Sequence, residues 1–437
     1  MVAARVLERV AARGAFADRA LEAELGRRRL EPRDAALATE LVYGTLRWQR
    51  YLDWLLGPCA RRRLDALDPR VLAVLRMSAY QLTFLDRVPA FAAVNDAVTL
   101  ARAAGSGAAA FVNAVLRAFT RPGRPQPAEP HDPVDALALR RSFPTWLGAR
   151  WVARRGSAEA EALMGAMNER APLTLRTSLR RTTRTALAER LAAEHGVNTR
   201  PTAWAPEGLV VLDPGGPPSA WRPFAEGLCV VQDEASMLVA RLLEPVPGET
   251  VADVCAAPGT KTTHLAELMD DQGRVLAFDP QPGRLGLVRA AAARLGLESI
   301  RTFEGRVEAL ASRFPAACEA VLVDAPCSNL GVLRRNPEVK WRRRPEDLPR
   351  LAERQQAILT AAAGMVKPGG RLVYATCSLE PEENEEVVGA FLAGHPEFQL
   401  APPTAFPLPL DADGWLRCLP HRHGTDGFTA VRLRRVA

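Results

Sequence analysis

Between residues 250 and 375 short apolar runs alternate with helical patterns, and few folds accept that order. The runs cover 250–254, 274–278, 299–303, 320–323 and 371–375. Parallel strands cannot be joined by tight hairpins, so each needs a crossover. The helical stretches between most of the runs supply one. The expectation is a parallel sheet with helices on both faces. Ligands of such sheets lie at the carboxyl ends of the strands. The residues just after each run are therefore the candidates for chemistry.

The rest of the chain reads differently. At 437 residues it is too long for one ordinary core, so two or three domains are expected. Residues 1 to about 120 read as helix, with apolar residues at helical spacing in 4–12, 35–51, 71–85 and 91–100. Thr120-Arg-Pro-Gly-Arg-Pro-Gln-Pro-Ala-Glu-Pro130 carries four prolines, which cannot sit inside a helix. The expected boundaries are a helical domain over 1–125, a linker over 126–139, a mixed α/β segment over 140–230 and the parallel-sheet domain over 231–437. Within the mixed segment, 146–154 and 186–194 look helical, and 173–179 and 209–212 look like strands.

Composition narrows the partners. No apolar run is long enough to span a bilayer. The first residues form an amphipathic helix without the apolar core or cleavage site of a secretory signal, so a cytoplasmic protein is expected. The net charge of +7 favours a polyanion, modestly. Only three of the basic residues are lysine: Lys261, Lys340 and Lys367. The seven cysteines include no C-x-x-C pair and are odd in number, which argues against a zinc site or a disulfide framework. No metal site is expected. Free thiols remain, and thiols can be nucleophiles.

The first strand leads into Asp253-Val-Cys-Ala-Ala-Pro-Gly-Thr-Lys261 and then a helix. Small residues let backbone amides approach a ligand, and a helix N-terminus adds positive potential. The pattern is neither a P-loop nor G-x-G-x-x-G, since Cys255 and Thr260 stand where a P-loop needs glycine. The second strand ends at Asp279, twenty residues beyond Gly259. A carboxylate there can accept both ribose hydroxyls of a nucleoside cofactor. The fourth strand runs into Asp324-Ala-Pro-Cys-Ser328 and the fifth into Ala375-Thr-Cys-Ser378. Free cysteines are usually small core fillers, but Cys327 and Cys377 are flanked by polar and turn-forming residues at neighbouring strand ends. They would face one cleft.

Two thiols beside a nucleoside cofactor suit one reaction in particular. Carbon 5 of cytosine is a poor nucleophile until a thiolate adds to carbon 6 and makes the ring enamine-like. Carbon 5 can then take a methyl group from a sulfonium donor. A base removes the carbon-5 proton, and the thiol leaves. An acid near ring nitrogen 3, with Asp324 the candidate, would stabilise the adduct. Between the thiols, residues 331–344 hold six basic residues and Trp341, a composition that suits phosphate pairing and base stacking or a solvated basic loop.

Several segments carry a resemblance. They are Gln232-Asp-Glu-Ala-Ser236, Cys255-Ala-Ala-Pro-Gly-Thr-Lys-Thr-Thr-His264, Asp324-Ala-Pro-Cys-Ser328, Arg335-Asn-Pro337 with Lys340-Trp341, Tyr374-Ala-Thr-Cys-Ser378, Pro381-Glu-Glu-Asn384 and Thr425-Asp-Gly-Phe428. In order and spacing residues 230–437 resemble the RNA cytosine-5 methyltransferases of the Sun/NOL1/NOP2 class, in its bacterial small-subunit rRNA branch. Tyr43-Gly-Thr-Leu-Arg-Trp48 and Phe111-Val-Asn-Ala-Val-Leu116 resemble a NusB-like helical RNA-binding domain. Residues 140–230, with Phe143-Pro-Thr-Trp146, resemble the family's middle segment.

The resemblance implies an all-α NusB-like domain, a small α/β middle domain and a Rossmann-like methyltransferase domain. It implies S-adenosylmethionine as methyl donor, held by Cys255, Ala256, Ala257, Pro258, Gly259, Thr260 and Lys261, with Asp279 on its ribose. Asp324 would lie beside both the methionine end and the target base. It makes Cys377 the nucleophile and Cys327 the thiol that assists release; the residues alone leave those two roles open. The implied substrate is 16S rRNA, free or partly assembled, with no membrane and no obligate protein partner. Two positions depart from the family pattern. Thr260 replaces a glycine, which is tolerable if its φ is not positive. Glu304-Gly305 stands where Asp-Gly is usual, so Glu304 is expected to reach the adenine side from a shifted backbone. Competing readings are a non-catalytic RNA-binding protein, against which the intact Asp324, Cys327 and Cys377 argue, and a DNA cytosine methyltransferase, which would not explain Cys377 or the helical domain.

Overall fold

The computed structural model describes residues 1–28, 30–124 and 126–436. The expected boundary at residue 125 lies outside them. The chain divides into two compact units, Met1–Arg170 with Leu333–Arg343, and Ala171–Val332 with Arg344–Ala437.

The first unit is helical: α1 (Val2–Arg13), α2 (Ala17–Gly26), α3 (Pro32–Arg47), α4 (Gln49–Ala60), α5 (Pro69–Phe84), α6 (Ala90–Ala101) and α7 (Ser106–Thr120), then α8 (Pro133–Arg140), α9 (Thr145–Arg155) and α10 (Ser157–Met167). The apolar spacing decides which faces are buried. Val2, Val6, Leu7 and Val10 of α1 join Val71, Val74 and Leu75 of α5 in one core. Asp68 caps α5 by accepting from the Arg70 and Val71 amides, with Pro69 in the first turn. The run expected over 35–51 breaks at Trp48, whose φ of −102° and ψ of 14° leave the helical region between α3 and α4.

Two features of this unit differ from expectation. Asp132 accepts from the amides of Val134 and Asp135, and Pro133 sits in the first helical turn. Helix α8 therefore begins inside the stretch 126–139 read as linker. Helices α9 and α10, read as part of the 140–230 segment, belong to this unit because Phe143, Leu147, Trp151, Leu163 and Met164 are wholly buried within it. The basic stretch 331–344 is the second difference. Lys340 is 1 % exposed, and its Nζ donates to Arg47 O at 2.8 Å, Ser142 O at 2.9 Å and Asn168 Oδ1 at 3.0 Å. Trp341 Nε1 donates to Leu46 O at 2.6 Å. These side chains pin the segment into the helical unit, so Lys340 is not free to pair with phosphate.

The second unit holds two sheets. The small one has order β2-β3-β1-β4, from β1 (Leu173–Thr177), β2 (Thr199–Pro201), β3 (Gly208–Val211) and β4 (Cys229–Val231), and its pairs are antiparallel. The large one has order β10-β12-β9-β8-β5-β6-β7, from β5 (Thr250–Asp253), β6 (Arg274–Asp279), β7 (Ile300–Glu304), β8 (Cys318–Asp324), β9 (Val366–Thr376), β10 (Phe398–Leu400) and β12 (Phe428–Arg435), with β11 (Leu416–Cys418) beside β12. Strands β5 to β9 are parallel, as the alternation required. The three last strands add antiparallel pairs at one edge, which the sequence reading did not contain.

Arg176 of β1 ties the small sheet to the helix Thr260–Leu268. It is fully buried and donates to Glu267 Oε2 at 2.9 Å, Thr260 O at 2.6 Å and Thr263 Oγ1 at 3.1 Å, and also to Gln232. Strand order reverses between β5 and β8. The crevice at such a switch point is where this architecture binds ligands.

Candidate active site

Strand β5 ends at Asp253, and the loop after it turns into the helix Thr260–Leu268. Gly259 is required there. Its φ is +110°, and an added Cβ would stand 3.0 Å from Val288 Cα. Thr260, the first helical residue, is not among the residues with positive φ, so its side chain is accommodated. Asp253 braces the loop by accepting from Thr262 Oγ1 at 2.7 Å and Cys255 N at 3.3 Å. Burial pushes its carboxyl up to about 7, against the Thr262 hydrogen bond.

Beside this loop lies a cavity of about 430 Å³, lined by Cys255, Ala257, Lys261, Asp279, Asp324, Cys327 and Cys377 among others. Ala256, Pro258, Gly259 and Thr260 do not line it; they shape the turn beneath. Glu304 is not in the lining either. It ends β7 in register with Asp279, but its side chain is exposed. Arg306, Val307 and Glu308, just beyond it, form that wall.

Asp279 is 3 % exposed. Its Oδ1 accepts from Gln281 N at 2.9 Å, and its Oδ2 lies 3.2 Å from Arg284 Nη1. Arg284 also donates to Ala257 O at 2.6 Å, tying the second strand end to the loop.

The register of β8 on β9 pairs Asp324 with Ala375; Cys327 follows three residues after Asp324 and Cys377 two after Ala375, so both lie just past neighbouring strand ends. Their sulfurs lie 3.0 Å apart. Asn329 Oδ1 stands 3.0 Å from Cys377 Sγ and 3.5 Å from Cys327 Sγ. Asn329 has a φ of +64°, a conformation asparagine tolerates better than most residues. The hydrogen bond to Cys377, together with burial, holds the Cys327 thiol well above its ordinary pKa.

Lys261 crosses the cavity. Its Nζ lies 2.8 Å from Asp324 Oδ2 and 4.9 Å from the Phe428 ring centre. Burial works against the ammonium, but Asp324 outweighs it and the Lys261 pKa is raised. Its charge also interacts with the Cys377 sulfur. The expectation gave Lys261 to the cofactor loop; the structure pairs it with the carboxylate beside the thiols. Asn329, Phe428, Arg354 and Glu308 also reach the cavity and were not singled out. Only Phe428 had a signal, as the end of Thr425-Asp-Gly-Phe428.

Residues 240–434 match the family model described as 16S rRNA methyltransferase RsmB/F. Residues 1–121 match the NusB family, and residues 143–216 the ferredoxin-like domain of RsmF/B-like methyltransferases. The chain is 38 % identical to the probable ribosomal RNA small subunit methyltransferase B of Synechocystis sp., covering 99 % of this chain and 98 % of that protein. It is 38 % identical to the probable ribosomal RNA small subunit methyltransferase B of Bacillus subtilis, covering 96 % and 95 %. The solved structure of PH0851 superposes with a TM-score of 0.85 at 28 % identity, covering 99 % of this chain and 98 % of that one.

Proposed function

The chain belongs to the 16S rRNA methyltransferase RsmB/F family, and we propose that it makes 5-methylcytosine in 16S rRNA through a covalent bond between Cys377 and carbon 6 of the base. The observation that carries this reading is the meeting of two thiols, 3.0 Å apart, with the Lys261–Asp324 pair in one cavity.

The cavity suits S-adenosylmethionine. Its volume is in the range of small-ligand sites. The turn before Lys261 carries small side chains, so backbone can approach the ligand, and buried Asp279 offers a carboxylate to a ribose. When bound, the cofactor supplies an electrophilic methyl group. The chain's own residues do the rest. Cys377 adds to carbon 6, which makes carbon 5 nucleophilic. Lys261 places a positive charge near the attacking sulfur and holds Asp324 toward the cavity, where the carboxyl can meet ring nitrogen 3. Cys327 assists the release step: its sulfur is the candidate base that takes the carbon-5 proton as the carbon 6–sulfur bond breaks and Cys377 leaves as the thiolate.

The charge distribution supports an RNA substrate. Residues 1–121 hold 19 basic against 12 acidic residues, while residues 122–437 hold 38 of each. The whole positive excess therefore lies in the NusB-like segment, where it can attract phosphates. Carbon 6 of a stacked base is out of reach, so the target must be unstacked or single-stranded. Free or partly assembled rRNA in the cytoplasm meets that condition.

The test uses the purified chain, labelled S-adenosylmethionine and 16S rRNA lacking the modification. Label is expected in 5-methylcytosine. Absence of that product on a competent substrate overturns the reading.

A further inference from the structure

Glu383 lies in Pro381-Glu-Glu-Asn384, a motif that the proposed chemistry leaves without a role. It is fully buried. Its Oε1 accepts from Ser328 N at 2.7 Å and Gln355 Nε2 at 3.0 Å, and its Oε2 accepts from Ser328 Oγ and Ser378 Oγ, each at 2.5 Å. Four donors on two oxygens match an ionised, acceptor-only carboxylate. None of these partners is a cation.

The donors are not scattered. Ser328 follows Cys327, and Ser378 follows Cys377. Gln355 also donates to Pro326 O at 3.0 Å, on the other side of Cys327. Asn384 completes the arrangement around Cys377, accepting from Thr376 Oγ1 at 2.7 Å and donating to Ser378 O at 3.2 Å. Tyr374 Oη fixes the Glu383 carbonyl at 2.6 Å. Each thiol is thus flanked by residues whose polar groups end on Glu383, Asn384 or Gln355.

We propose that Glu383 is the positioning residue that sets the two thiols against each other, joining the turn of Cys327 to the turn of Cys377 and placing a buried negative charge one residue behind Cys327. This role rests on the two-thiol reading above. Two consequences follow from the geometry. Besides the direct contact of the sulfurs, the two turns that carry them are held together through Ser328 and Ser378 on Glu383. A carboxylate close behind Cys327 opposes a second negative charge there, while Lys261 acts from the side of Cys377. The elevated Cys327 pKa, to which Glu383 contributes after Cys377 and burial, agrees. The two chemically identical thiols are thereby made unequal: Cys327 has the more basic sulfur, suited to taking up a proton at release, and Cys377 is the one left to attack.

The test reads the thiols without RNA. Full-length protein is treated with iodoacetamide over a range of pH, and alkylation of each cysteine is followed by mass spectrometry. In the unaltered chain Cys377 should react first. In Glu383→Gln the reaction of Cys327 should rise roughly tenfold at neutral pH, as one pKa unit requires, with its profile moved to lower pH. A folded Glu383→Gln protein with unchanged Cys327 and Cys377 profiles overturns the proposal. Should that variant not fold, Ser378→Ala is measured instead, since it removes the tether and keeps the charge. Slower turnover with an unchanged Cys327 profile supports the role, and unchanged turnover overturns it. If the alkylation profiles respond while the unaltered chain methylates no cytosine, the positioning stands and the reaction assigned above fails.

Discussion

Lys261 Nζ stands 2.8 Å from Asp324 Oδ2, and both side chains reach the cavity that holds the two thiols. A buried ammonium without a partner is costly, so each group holds the other in place. Lys261→Met removes the positive charge beside Cys377 and frees Asp324. Turnover should fall by about two orders of magnitude or more, the scale of losing one electrostatic stabiliser. Binding of S-adenosylmethionine, measured by calorimetry, should change much less. Loss of cofactor binding with normal single-turnover chemistry would return Lys261 to the cofactor loop alone.

The 3.0 Å contact between Cys327 and Cys377 gives a sharper test. Cys377→Ala should abolish both turnover and adduct formation. Cys327→Ala should let attack and methyl transfer proceed but stall release, so a covalent protein–RNA complex accumulates on denaturing gels. An adduct with Cys377→Ala and none with Cys327→Ala would exchange the two roles.

Much of this site was legible because sheet topology carries strand ends to one place. Asp279, Asp324 and the two cysteines each follow an apolar run, and the pairing of Asp324 with Ala375 aligns the last two ends. What escaped was decided by contacts distant in sequence. Glu383 gathers Ser328, Gln355 and Ser378, which no local pattern connects. Lys340 looks like one more member of a basic loop, yet three acceptors from α3, the turn after α8 and the end of α10 surround its Nζ. Glu304 shows the converse. Its position at a strand end was read correctly, but the side chain points to solvent and the cavity wall is built by the residues after it. The antiparallel edge strands were missed because their apolar runs are short or carry arginines, as in Phe428–Arg435.

Lys340 therefore makes a prediction about stability rather than RNA. Lys340→Met would leave the carbonyls of Arg47 and Ser142 and the amide oxygen of Asn168 without their donor. Each buried unsatisfied group costs about 1–3 kcal/mol, so the melting temperature should drop clearly. The salt dependence of rRNA binding should stay the same, since a buried side chain releases no counterions from phosphate. A flatter salt dependence with unaltered stability would restore Lys340 to the RNA surface.

Glu207 sets the behaviour in acid. It is 1 % exposed. Arg241 donates to both of its oxygens, at 2.7–3.0 Å, and His264 Nε2 lies 2.9 Å from Oε1. Burial opposes the Glu207 charge, but His264 and Arg241 outweigh it and hold the carboxyl far below its ordinary value of 4.5. Burial also lowers the His264 pKa, so near neutrality it contributes a hydrogen bond and Arg241 the charge. A carboxyl whose folded pKa is depressed adds stability that is complete above its unfolded pKa and declines as pH falls toward the folded one. Glu207→Gln should thus be less stable than the unaltered chain by about 3 kcal/mol at pH 7, the scale of breaking a buried pair. That gap should narrow by about 1.4 kcal/mol for each pH unit below the unfolded value, as one proton requires. Urea unfolding at neutral pH and at two acidic values reads both effects. If the gap between the proteins stays constant into acid, Glu207 is not the carboxylate whose protonation loosens the small sheet from the helix that begins at Thr260.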